Sequence, residues 1–295
     1  MADRARLAIT LGDPRGIGAE VVAAALADPR VRDAVEPTIV GPSGLAVAPD
    51  LAVGTWHAGG TEAEAGRFAG LAIERAVRLA RSGAVRGIVT APIDKHALLA
   101  GGYDYPGHTE MLAALTGSRV AMMLASDTLR VVLVTTHIPL RDVPAAVTPT
   151  AIADAAAVTR DGLQRWFGIA KPRIALCGMN PHLGDGGRFG TEDDAVLAPA
   201  ARAAGIAGPL AADTVFVRGM RGEFDAVIAP YHDVGMTAIK VASFGHAVNV
   251  TLGLPFPRTS PDHGTALDIA GTGRARPDSM IAAILRCAEI VARTA

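Results

Sequence analysis

The amino-acid sequence predicts an α/β protein, a mainly parallel sheet covered by helices on both faces. Short β-branched runs alternate with alanine-rich stretches along the chain. The strand-like runs end in polar turns rich in glycine and proline. With 295 residues, half of them apolar and 4% aromatic, the chain is long enough to bury a large core as one large unit or two domains.

In chain order, the runs LAIT (7–10), TIV (38–40), GIVT (87–90), RVVLVTT (130–136), RIALC (173–177), DAVIA (225–229) and VNVTL (248–252) are expected to be buried strands. Glu20–Ala27, Ala63–Arg81, Pro149–Phe167 and Ser279–Arg293 are the expected helices. There is no internal repeat and no low-complexity linker. The intervening turns are GDPRGIG, TAPIDKH, THIPL, NPHLGDGGRFG, PYHDVGM and PFPRTSPDHGTA, and they hold nearly every chemically capable residue. Open α/β sheets gather ligands at the carboxyl ends of their strands, so this clustering points to an enzyme.

Lys plus Arg (28) nearly balance Asp plus Glu (29), for a net charge of −1. That balance gives no general attraction to nucleic acid or an anionic membrane, so any anion must be caught by a few placed residues. Cys177 and Cys287 follow no metal or redox spacing and are expected to be free, partly buried thiols of a cytoplasmic protein. The start, MADRARLAITLGDPRG, lacks a signal-peptide pattern, and no apolar run reaches the roughly 20 residues of a membrane helix.

Three turns place a histidine after a strand: His137 in TTHIPL, His182 in GMNPHLGDGG and His232 in APYHDVGM. Converging imidazoles would bind a divalent ion and leave positions open for substrate; singly, each is an ordinary polar loop residue. Asp233, next to His232, is either an orienter or base at that site or a turn and helix-cap carboxylate. In GHTE (107–110), His108 and Thr109 stand at an apparent helix start, where free N–H groups suit phosphate, although Thr109 would equally serve as a cap. Lys240 follows the YHD turn, and Arg258 sits in the proline-flanked PFPRTS loop, either as anion receptors or as solvated surface cations. Asn249 is a polar amide in a strand of valine, threonine and leucine, and it needs a partner.

GDPRGIGAE (12–20) follows the first strand but lacks the GxGxxG dinucleotide spacing. DHGTALDIAGTGRARPDS (262–279) combines a histidine with several glycines, whose backbone a nucleotide can approach closely.

Taken together, GDPRGIG, PIDKHALLAGGYDYPGHTE, MMLASDTLRVVLVTTHIPLRDV, GMNPHLGDGGRFGTEDD, GPLAADTVF, APYHDVG and NVTLGLPFPRTSPDHGTALDIAG resemble the 4-hydroxythreonine-4-phosphate dehydrogenase family (PdxA) over nearly the whole chain. The glycine motifs also resemble those of isocitrate and isopropylmalate dehydrogenases. The resemblance implies a two-domain isocitrate/isopropylmalate dehydrogenase-like fold with an active cleft between the domains. Residues 1–107 plus 255–295 would form the cofactor side, and 108–254 the metal and dimer side. It implies a homodimer with the metal site at the subunit interface, the metal ligands being His137, His182 and His232. Substrate binding falls on His108, Thr109, Lys240, Asn249 and Arg258. NAD or NADP would lie against His263, Gly264, Thr265, Ala266, Gly271 and Gly273. The metal is Zn, Mg or Co, and Lys240 or Asp233 assists proton transfer.

The implied reaction oxidises C3 of 4-phosphooxy-L-threonine to a β-keto acid that loses carbon dioxide. Departures from the family pattern are Val234 in YHDVG, Leu183 and Asp185 in NPHLGDGG, and a shortened stretch between residues 40 and 65. The alternatives are a dehydrogenase of phosphorylated threonate or erythronate or of a related diol and, in another class, a metal-dependent hydrolase.

Overall fold

The computed structural model describes residues 4–243 and 246–294. The strands are β1 (Ala5–Thr10), β2 (Val35–Ser43), β3 (Leu51–Thr55), β4 (Gly87–Thr90), β5 (Ala121–Ala125), β6 (Arg130–Leu133), β7 (Ile174–Cys177), β8 (Ala207–Leu210), β9 (Ala226–Ala229), β10 (Val248–Leu252) and β11 (Arg258–Pro261). Two compact units are present. One takes the chain up to Ser118 together with the chain from Val248 on; the other is Arg119–Ala247. Helix His108–Thr116 and strand β10 therefore group with the chain ends, β10 because it is laddered to β11.

In the first unit the strand order is β3-β2-β1-β4-β11-β10. All neighbours run parallel except β10 and β11, which pair antiparallel with Asn249 opposite Ser260. β4 is buried along its whole length and β1 at every residue but Arg6, as strands covered on both faces must be. Helix Glu62–Arg81 starts on a reciprocal cap: the Glu64 amide donates to Thr61 Oγ1 at 3.2 Å, and the Thr61 amide donates to Glu64 Oε2 at 2.9 Å. The last helix, Asp278–Arg293, buries Met280, Ile281, Ile284, Cys287, Ile290 and Val291 on one side, the spacing of an apolar helical stripe.

In the second unit the order is β5-β6-β9-β7-β8, with β5 and β6 antiparallel and the rest parallel. Its core gathers Leu124, Val131, Leu133, Ala175, Val215, Val227 and Ile239. Helix Pro149–Arg165 begins at Thr148, whose hydroxyl accepts from the Ala151 amide, with proline in the first turn where its missing N–H costs nothing.

The seven expected strands are all present, GIVT and VNVTL with the expected bounds and the other five with shifted ends. The run at 130–136 stops as a strand at Leu133; Thr135 still bonds to the Pro230 carbonyl, but Pro230 has no N–H with which to continue the ladder. The strands β3, β5, β8 and β11 were not expected. Arg258 is thus the first residue of a buried strand rather than part of a loop. Likewise His232 and Asp233 open the helix His232–Ser243 instead of lying in a turn, and Lys240 is carried on that same helix.

Candidate active site

Among the described residues Arg258 is the largest fully buried side chain, 1% exposed. Its Nε and Nη2 donate to the Thr90 hydroxyl, and its Nη1 donates to Thr251 Oγ1 at 3.0 Å. Among the described residues no carboxylate forms an ion pair with it. Burial pushes its pKa down to about 9, with Cys287 and Glu110 opposing the shift, so the group is still charged at neutral pH. A buried cation held only by neutral hydroxyls is costly unless an anion completes it.

Two predicted receptors beside it have vacant polar atoms. In the antiparallel β10–β11 ladder, Asn249 lies opposite Ser260, two positions from Arg258, so all three share one face of the sheet. Asn249 Oδ1 is buried with no hydrogen-bond partner, and so is His108 Nε2. Burial, then the charge of Arg258, holds the His108 imidazole well below its usual pKa, and it is neutral at pH 7. Thr109 follows in the first turn of helix His108–Thr116. Gly107 holds the N-cap position there with no side-chain cap, so Thr109 is not the cap. The open first-turn N–H groups and the positive end of this helix add to the cationic character.

The two glycine motifs meet in the same unit. Asp13, fully buried, grips Arg15 through two oxygens at 3.1 and 2.8 Å and closes the GDPRG turn on itself. The Ile17 amide donates to the Thr265 carbonyl at 3.0 Å, and the Gly271 amide donates to Glu20. A Cβ on Gly16 would stand 2.7 Å from the Thr265 oxygen, so only glycine admits this approach. A cavity of about 750 Å³ is lined by Gly16, Glu20, Trp56, Gly271 and Gly273, among others. Ala266 adopts a left-handed φ of 45° in this loop, and Gly264 is exposed. His263 Nδ1 is 3.0 Å from the Gly264 carbonyl, while its Nε2 is buried without a partner.

In the second unit His137, after β6, and His232 bring their rings to a centroid distance of 5.5 Å at 45°. Two imidazoles on one divalent ion at about 2.1 Å per bond place their ring centres roughly 5–6 Å apart, so this pair fits a shared ion. His232 Nδ1 lies 3.2 Å from Asp233 Oδ1, a contact that would fix the ring's tautomer; the Asp233 side chain is 83% exposed. His182 is exposed on a run of left-handed residues, with φ of 51° there, 60° at Leu183 and 45° at Asp185. Among the described residues no three metal-capable groups come together, so one chain assembles the 137–232 pair without His182. Lys240 is exposed, eight residues and about 12 Å of helix rise beyond His232.

The sequence reading missed the residues that hold these groups in place. Asp193, fully buried, accepts from the Met179 amide at 2.7 Å and the Asn180 amide at 2.9 Å, and Glu192 accepts from Asn180 Nδ2 at 2.8 Å. The GTEDD segment thus anchors the loop that presents His182. An acidic pair beginning fifteen residues after the end of β7 was the available signal, but without the fold it had no assigned partner. Thr90 and Thr251, which cradle Arg258, look like ordinary strand threonines.

The motifs lie within a longer match to known proteins. Residues 10–287 match the family described as "Pyridoxal phosphate biosynthetic protein PdxA". The 4-hydroxythreonine-4-phosphate dehydrogenase of Geobacter metallireducens is 44% identical over 97% of this chain and 95% of its own length. A crystal structure of 4-hydroxythreonine-4-phosphate dehydrogenase from Klebsiella pneumoniae superposes with a TM-score of 0.85 at 37% identity, covering 98% of this chain and 99% of that one. Isocitrate dehydrogenase from Methylococcus capsulatus shares the fold, with a TM-score of 0.51 at 16% identity over 94% of this chain and 83% of its own. Matched by the family over residues 10–287 and by relatives along almost its whole length, the chain belongs to the PdxA family.

Proposed function

We propose that this protein oxidises the C3 hydroxyl of 4-phosphooxy-L-threonine, giving a β-keto acid that loses carbon dioxide to form 3-amino-2-oxopropyl phosphate, a step toward pyridoxal phosphate. The observation that carries this reading is Arg258, a buried guanidinium with hydroxyl partners and, among the described residues, no counter-ion. A phosphorylated substrate supplies that counter-ion. The first-turn N–H groups at His108 and Thr109 share the phosphate's charge, and neutral His108 donates to it through Nε2 in the appropriate tautomer. Asn249 Oδ1 accepts from the substrate's ammonium or hydroxyl.

His137 and His232 would hold a divalent ion, Zn, Mg or Co, with His182 supplied from a second copy of the chain in a homodimer. That ion supplies Lewis acidity at the C3 oxygen, and NAD or NADP accepts the hydride. The protein's own part is to orient C3–H, exclude water and take the hydroxyl proton. Lys240 and Asp233 are the candidates for that proton. The Gly16–Thr265 contact and the amides of Gly264, Gly271 and Gly273 would bring the backbone against the nucleotide, with His263 Nε2 free to donate to it or accept from it.

Among the described residues no helix is long and apolar enough to cross a membrane, and we place the enzyme in the cytoplasm. The test is absorbance at the reduced-nicotinamide band with 4-phosphooxy-L-threonine, each cofactor in turn, and a divalent ion restored after chelation. Metal-dependent reduction is expected. Turnover of phosphorylated threonate or erythronate alone would overturn the substrate assignment, and inactivity of folded, metal-loaded protein on all three would overturn the reaction.

A further inference from the structure

The first unit has a second cavity at the other ends of its strands, and the proposed reaction makes no use of it. Of about 730 Å³, it lies beside Ala5 at the start of β1 and Ala34 just before β2, away from the carboxyl ends where the turns gather. Part of its wall is apolar, from Leu285, Ala288 and Val291 of the last helix. Arg4, Arg6 and Arg86 also line it. The volume is that of a small-molecule pocket, which spans roughly 300–1,000 Å³.

The charges there are out of balance. The Arg86 amide donates to the Arg6 carbonyl at 2.8 Å, one position before the β1–β4 register begins, so Arg86, just ahead of β4, stands beside Arg6 of β1. Like charges directly opposite each other in a sheet repel. Arg6 donates to the Ala84 carbonyl at 3.1 Å and Arg4 to the Arg32 carbonyl at 3.4 Å. Among the described residues none of the three forms an ion pair with a carboxylate. Two carboxylates do line the cavity, Asp33 and Glu289, but Glu289 is already engaged by Arg286 at 2.9 Å. The last helix's carboxyl end adds only about half a negative charge. Among the described residues, three guanidinium charges therefore exceed the negative charge set against them.

We propose that this cavity binds a small phosphate monoester on a compact apolar body. The guanidiniums take the phosphate oxygens, and the Leu285–Val291 wall takes the apolar part. The site is distinct from Arg258 and does not depend on the reaction assigned above.

Phenyl phosphate is the probe, titrated by calorimetry into the full-length protein without substrate or cofactor. The double variant R6Q/R86Q should weaken binding at this cavity by about tenfold or more, since each lost charge-assisted bond is worth roughly that factor. The difference between wild type and variant reports this cavity alone, because a ligand held at Arg258 is retained in both. A292W, at an exposed position lining the cavity, should abolish the same binding by filling it while leaving every charge in place. Dehydrogenase activity should be unchanged in both variants. Binding unaltered by R6Q/R86Q and A292W, or no binding by the folded wild type at millimolar phenyl phosphate, would overturn the proposal. Equal affinity for inorganic phosphate would overturn its apolar half, and tighter binding of benzoate its phosphate half.

Discussion

Replacing Arg258 by methionine should separate binding from stability. Burial pushes its pKa from the ordinary arginine value down to about 9, so the fold disfavours the charge. A fall of roughly 3.5 pH units corresponds to roughly 5 kcal/mol of penalty on the ionised form. Its sign follows from proton counting. Between about pH 9 and the unfolded arginine value the unfolded chain binds the extra proton, so stability rises with pH through that window and the full penalty is present below it. Methionine removes the charge and keeps most of the volume, but it leaves the Thr90 and Thr251 hydroxyls without this partner, at about 1–3 kcal/mol each. The two effects nearly cancel, so R258M should unfold within about 2 kcal/mol of wild type in ligand-free buffer. Phosphorylated substrate should raise the Tm of wild type and leave that of R258M in place. kcat/KM should fall by about 10²–10³, the expected loss for a buried charge pair. Thermal unfolding with and without substrate, beside steady-state kinetics, provides both readouts. A variant that loses several kcal/mol of stability while keeping its KM would show that Arg258 is structural, and the anion-receptor argument would fail.

Four further outcomes follow from the same geometry. His137→Ala, His182→Ala and His232→Ala should each lower turnover by about 10³ or more with circular dichroism unchanged, because a missing ligand removes the ion's Lewis acidity; an active His182→Ala enzyme would refute the metal assignment. Asp193→Ala leaves the Met179 and Asn180 amides unpaired and should cost about 2–4 kcal/mol in denaturant unfolding, with weaker metal binding measured by competition with a chelator. Gly16→Ala pushes a methyl against the Thr265 carbonyl and should raise the KM for the nicotinamide nucleotide at least about tenfold, with the KM for the phosphorylated substrate nearly unchanged. Burial pushes the Cys177 and Cys287 thiols up to about 12, so neither should react with a disulfide reagent at pH 8 until the protein is unfolded.

The fold was legible where burial writes itself into local composition. The strands within RIALC and DAVIA, IALC and AVIA, are apolar throughout, and GIVT is apolar up to its last residue, because strands in a parallel sheet are covered on both sides. β11 was not legible for the opposite reason: RTSP is polar and ends in proline, and it is buried only because Arg258 and Thr259 find partners far away in sequence, Thr90 across 168 residues and Ala283 across 24. The helix His232–Ser243 was hidden in the same way. Its opening HDVG suggests a turn, and its helical character comes from Met236 and Ile239 packing into the second unit's core.

The site divides along the same line. Chemically capable residues stand out in a sequence because histidine, arginine and asparagine are conspicuous among valines and glycines, but what makes them functional is an unmet need that only coordinates reveal. From the sequence Arg258 could be a solvated cation; what makes it a receptor candidate is that its partners are two hydroxyls and, among the described residues, no carboxylate. His108 and Asn249 follow the same logic, each with one buried polar atom and nothing to satisfy it. A folded chain rarely leaves such atoms vacant, and two vacancies beside a buried guanidinium describe the substrate more closely than any one motif does. They call for an anion at the guanidinium, an acceptor or donor at the imidazole and a donor at the amide oxygen. A phosphorylated amino alcohol presents all of these groups on a short carbon chain.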